Sequence, residues 1–176
     1  MKRFAIELRG VCSLLASFIL AGCAGAGFVA VPLTTPPGAL PLKAQAIRIV
    51  DARQQKQLHM RFSASSGDSV FLLAPTPTVD EALALHITRL APAWPEGASI
   101  SMQQLDLLNR VGFGTSDAMS CRMVSTLTLA GRQTTVTTDA QNAENMSPFA
   151  ATAARVMLDQ CLAAHAAQLA LAATQP

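Results

Sequence analysis

A chain of 176 residues, 51% apolar and 14% charged, is long enough for one folded domain with its own core. Its formal charge of +2 falls to neutrality once the first 22 residues are set aside, because Lys2, Arg3, Arg9 and Glu7 all lie there. A neutral chain without a Lys/Arg cluster lacks the electrostatic footprint of a nucleic-acid binder, and one Trp with no Tyr gives no aromatic platform for stacking bases or sugars.

The N-terminus carries three bases before Gly10, and then no charged side chain until Lys43. Such an asymmetry holds the start of the chain in the cytoplasm. The apolar run Val11–Leu20 has the length of a signal-peptide core and leads directly into Leu20-Ala21-Gly22-Cys23. This tetrapeptide resembles the lipobox of bacterial lipoproteins. The resemblance implies cleavage before Cys23 and acylation of that cysteine, whose chains, each stabilised by roughly 0.8 kcal/mol per buried methylene, give a firm membrane anchor. Ala24 in place of Asp favours the outer membrane by the same resemblance. Two other readings remain open: an uncut span over Val11–Val31, against which the small residues Ala24–Gly27 argue, and simple secretion with Cys23 left as a thiol.

Residues 1–22 are therefore expected to be a signal peptide and 23–43 a tether. Pro32, Pro36, Pro37 and Pro41 remove ladder donors and bias the second segment to extended conformations. A single α+β domain is expected over 44–173.

In that domain Ala46–Asp51 alternates like a strand, Gln54–Gln57 and Ser63–Ser69 read as connections, and Leu58–Phe62 between them is a short strand. Ser69–Ala74 is a buried strand closed by Pro75 and Pro77. Thr78 and Glu81 have capping-box spacing, and Val79, Leu83, Ile87 and Leu90 give a helix that must stop before Pro92. Between Ala98 and Leu108 the apolar parity switches, from Ile100 and Met102 to Leu105 and Leu107, which predicts a bulge at Gln103-Gln104. Met119–Leu129 and Arg132–Ala140 form a hairpin about Ala130-Gly131.

Ser147 and Pro148 start a last helix that runs to about Ala172, with the stripe Ala154, Met157, Leu158, Cys161, Leu162, His165 and Leu169. The expected fold is α+β: a mainly antiparallel sheet of four to five strands with both helices on one face.

The lipobox, the strand holding Asp51-Ala52-Arg53, the Leu73-Ala74-Pro75 strand leading into a helix, the glycine-turned hairpin and the terminal helix together resemble the YajG-like group of lipoproteins. That resemblance spans roughly 46–170. It implies an envelope lipoprotein without an assigned activity and transfers no catalytic residue.

Chemistry is sparse in the remainder. Cys121 and Cys161 face the same core from a strand and a helix, so in an oxidising compartment they are either bridged or two buried thiols. His165 lies one turn beyond Cys161, but two ligands do not make a zinc site; His59 and His86 have no ligand-like neighbours, and no metal or other cofactor is expected. Gly112-Phe113-Gly114 is too short for a phosphate loop, and the serines of 63–69 have neither a Gly-x-Ser-x-Gly elbow nor a Ser-x-x-Lys pair. Asp51 and Arg53 point the same way on a strand, to a partner, to solvent or into a local ion pair, and Trp94 in its proline-framed loop either lids the core or anchors a partner.

The expectation is a non-enzymatic binding or structural accessory, held to the membrane by lipid, with an envelope protein as partner and no nucleic acid. An accessory of lipid or lipopolysaccharide transport is the alternative, to be recognised by an apolar groove between helix and sheet. A periplasmic hydrolase is a third reading, to be recognised by a pocket holding His86 or His165 beside a serine or carboxylate.

Overall fold

A computed structural model describes residues 28–36, 47–64, 67–91, 93–111, 118–142 and 150–174. The lipobox with Cys23, the glycines at 112 and 114, and the helix start at Ser147-Pro148 lie outside these residues. The chain order is β1 (Phe28–Pro32), β2 (Arg48–Asp51), β3 (Leu58–Ala64), β4 (Gly67–Thr76), α1 (Val79–Leu90), β5 (Ser99–Val111), β6 (Ala118–Leu129), β7 (Arg132–Asn142) and α2 (Ala150–Thr174).

The strands form one mixed sheet of seven, in the order β1-β4-β3-β5-β6-β7 with β2 paired to β5. This corrects the expected mainly antiparallel sheet of four to five strands. The pairs β1–β4, β2–β5 and β3–β5 are parallel, and β3–β4, β5–β6 and β6–β7 antiparallel. The physical reason is that alternation tells which face a side chain takes but carries no information on the partner's direction. β3 meets β5 only after the chain has passed through β4 and α1, and that passage makes the pair parallel.

A second correction concerns the segment expected as tether. Phe28–Pro32 is an edge strand, with Val31 fully buried and Phe28 exposed. Pro32 is tolerated because an edge strand leaves one side without ladder bonds. Past the strand, Leu33 donates its backbone N–H to Thr76 O at 2.8 Å. Thr34 then donates its N–H and its hydroxyl to the two carboxylate oxygens of Asp159 on α2, at 3.0 and 2.6 Å. The 63–69 run is likewise mostly strand, since β3 extends to Ala64 and β4 begins at Gly67.

The parity switch in β5 is resolved by an irregularity between Met102 and Gln104, which leaves Gln103 without a partner on β6 and returns Leu105 and Leu107 to the core. At the β6–β7 turn Ala130 and Gly131 both have positive φ, 50° and 79°, as a right-twisted two-residue hairpin requires. On α1, Glu81 Oε2 accepts the Thr78 backbone N–H at 2.9 Å, closing the first turn.

The predicted stripe of α2 is fully buried at every position named above. Each large apolar member contributes roughly 1.5–3 kcal/mol through its removal from water. Ala151–Thr174 is also long and apolar enough to cross a membrane by length and composition, but here its stripe packs on β6, β7 and β1. α1 packs against α2 and β2 on the same inner side. The outer face, carrying His59, Arg61, Leu72, Asp106, Arg122 and Val124, has no helix over it among the described residues.

Candidate functional site

Asp51 and Arg53, expected as a partner contact, a solvated face or a pair, are a pair. Arg53 Nε and Nη2 donate to Asp51 Oδ1 and Oδ2 at 2.9 and 2.8 Å, and the Arg53 backbone N–H adds a bond to Oδ1 at 3.1 Å. Arg53 Nη2 also donates to Lys56 O at 3.0 Å, and the Lys56 ammonium donates to Asp51 O. The guanidinium is only 8% exposed, so this fork is the internal staple of the 52–57 loop. It holds the Asp51 carboxyl below its ordinary range, against a burial that pushes it up.

Trp94, the other residue offered to a partner, is 9% exposed and belongs to the core cluster; its indole N–H has no partner among the described residues. Of the two readings offered for it, the indole takes that of a lid over the core. Its apolar area outweighs one unpaired donor.

Cys121 on β6 and Cys161 on α2 are bridged, with Cα atoms 6.1 Å apart. One turn further along α2, His165 is fully buried between two strands. Thr138 on β7 donates its hydroxyl to Gln168 Oε1 at 2.8 Å and lies 2.8 Å from His165 Nδ1. With that hydroxyl hydrogen committed, Nδ1 is the protonated nitrogen by network assignment, and Nε2 accepts from Ser125 Oγ at 2.9 Å. Burial pushes the imidazole down to about 4, so it is neutral at physiological pH. Histidine beside serine is the pair a hydrolase would use. Here Ser125 and His165 are both at 0% exposure, and no substrate carbonyl can reach either.

His86 on α1 is half-buried, with its pKa lowered chiefly by that burial. Among the described residues no group of three His, Cys, Asp or Glu side chains could hold a metal.

The clearest concavity lies on the outer face. β2 and β3 lie end to end along one side of β5: the first pairs up to Met102, the second from Leu107. In the interval the 52–57 loop arches out, held by the Arg53 fork and by Ala52 N–H donating to Met102 O at 2.9 Å. The result is a notch of ≈ 510 Å³ lined by Gln54, Gln55 and Gln57 from the loop, Gln103 and Gln104 from the bulge, and Asp106. Gln104 donates to the Asp106 carboxylate, and Gln55 Nε2 lies 3.4 Å from His59 Nε2. A second cleft of ≈ 460 Å³ shares Gln55, His59 and Asp106 and extends to Arg61 and Val70.

Sequence reasoning missed this site. It marked the glutamine run as a connection and the other two glutamines as a bulge, and nothing in the spacing indicates that they meet.

No protein-family model matches the chain, and no curated protein does. Solved structures similar to it include an uncharacterised protein, at 10% identity over 84% of this chain and 92% of that one with a TM-score of 0.46. Another is a Xanthomonas campestris protein of the DUF330 family, at 11% identity over 84% and 94% with a TM-score of 0.48. Likenesses this weak carry no argument about activity.

Proposed function

We propose that the chain is a YajG-like bacterial lipoprotein, lipid-anchored at Cys23 and facing the periplasm, preferentially on the outer membrane, where it acts as a non-catalytic binding accessory of the cell envelope. The observation that carries this reading is Leu20-Ala21-Gly22-Cys23 placed directly after a basic start and an uncharged apolar run. Attachment to the membrane raises the local concentration of one partner beside another, which is a mechanism that needs no turnover.

The geometry supports binding over chemistry. Among the described residues no helix covers the outer face of the sheet, which holds a polar notch, whereas the histidine–serine pair is sealed inside. The alternative of lipid or lipopolysaccharide carriage asks for an apolar groove between helix and sheet; the α2 stripe that would line such a groove is fully buried against the strands. Cells grown with an alkyne palmitate analogue test the anchor. The chain is expected to take up label and to run in the membrane fraction, and Cys23→Ala to lose both; an unlabelled mature chain, or one that keeps residues 1–22 by intact mass, overturns the reading.

A further inference from the structure

The notch exists because β5 loses its neighbour for a few residues. On the side away from β6 its ladder stops at Met102 and resumes at Leu107, and the interval faces a loop instead of a strand. Five primary amides converge there from two segments far apart in sequence. Each carries two donor hydrogens and an acceptor oxygen, and so can meet both the N–H and the C=O of a peptide unit.

Arg53 is spent on Asp51, and Asp106, which accepts from the neutral Gln104 amide, keeps its negative charge. A notch with no free cation of its own and one carboxylate in its lining disfavours phosphate and carboxylate ligands. No Phe, Tyr or Trp is among the residues that line the notch, and its one ring, the half-buried His59 imidazole, lies edge-on to Gln55 at 3.4 Å, so a broad platform for stacking bases or sugar rings is missing. Apolar contact comes instead from Val124 in the notch and Val70 in the adjoining cleft, both suited to small side chains on one side of an extended chain.

We propose that the notch binds an extended, uncharged polypeptide segment of a partner protein, whose backbone amides pair with the glutamine side chains across the gap between β2 and β3. The proposal rests on the accessory reading and names the chemistry of the partner. Glutamine side chains lose rotamer freedom when they bind, so each bond adds modestly and the affinity expected is on the order of micromolar.

The test pans random short peptides on the full chain in detergent, counter-selects on a Gln55→Ala/Gln104→Ala double variant, and follows the glutamine side-chain amides by NMR. Both substitutions are at the surface, and retention of the Cys121–Cys161 bridge verifies the fold of the variant. Enriched peptides are expected to have an uncharged, proline-free centre, to shift the amides of Gln54, Gln55, Gln103 and Gln104, and to bind the double variant about tenfold more weakly. Failure to enrich any peptide dependent on these glutamines overturns the proposal. So does an equal set of shifts with a chitin tetrasaccharide, which would make the ligand a glycan. Neither result touches the palmitate labelling, so the anchored accessory stands or falls separately.

Discussion

His165 Nε2 and Ser125 Oγ lie 2.9 Å apart across the interface of α2 and β6, both without solvent contact. The imidazole is neutral because charging it would place an ion in the core, and this makes stability depend on pH. The folded-state value of about 4 lies below the ordinary 6.5, so the unfolded chain binds the proton more readily. The contribution is fully present above pH 6.5 and is lost as the pH falls toward 4, on the order of 3 kcal/mol in all. Urea unfolding at intervals between pH 7 and 4 should show this slope in the wild type and a flatter one in His165→Gln. Parallel slopes would refute the assignment.

The bridge between Cys121 and Cys161 closes a loop of 40 residues. In the chain-entropy treatment this restricts the unfolded state and stabilises by about 4 kcal/mol. Maleimide under denaturing conditions should modify neither cysteine before reduction and both after it. Reduced protein should unfold at a distinctly lower urea concentration than oxidised protein. Two modifiable thiols in oxidised material would show that the cysteines are simply buried neighbours.

Arg53→Ala should cost about 2 kcal/mol, since it removes a charge-assisted fork and leaves the Asp51 carboxylate and the Lys56 carbonyl short of donors. Asp51 is partly exposed, which keeps the figure below that of a fully buried pair. The lowered carboxyl contributes stability above pH 3.8 that fades as the pH falls through its folded value. In the variant the Asp51 titration, followed by carboxyl NMR, should move upward to the ordinary range; an unmoved titration would mean that Arg53 is not what holds it.

Ala130 occupies the left-handed region at φ 50°, where an L-residue with a Cβ is strained. Ala130→Asn should raise stability by about 0.5–1 kcal/mol, because Asn-Gly is the favoured pair for this turn. Gly131→Val should do the reverse on account of its φ of 79°, even though there is open space around the position. Thermal midpoints of the two variants shifting in the same direction would contradict the turn geometry.

Local features of the fold were legible where one residue pattern has one physical solution. The parity change from Met102 to Leu105 can keep both residues in the core only through an extra residue, and Gln103 is that residue. Ala130-Gly131 between alternating runs can only be a tight hairpin, and the stripe on α2 is the buried one. Pairings across distance were not legible. Phe28–Val31 was hidden by the prolines that follow it, and nothing in β2 or β3 states that both pair in parallel with β5. Asp51 and Arg53 were legible as a set of alternatives, and only side-chain geometry chose the internal pair. The notch is a tertiary coincidence of two polar segments, each of which reads alone as ordinary connection or bulge.

The parallel pairing of β1 with β4 has a mechanical consequence. A pull on the chain ahead of Phe28 acts along β1, and the five registered positions from Phe28 to Pro32 take the load together in shear instead of opening one after another. Behind them Thr34 is fastened to Asp159, so force that passes the strand is handed to α2. Any load applied ahead of Phe28 is in this way carried into the buried helix α2, and the edge strand resists being peeled away.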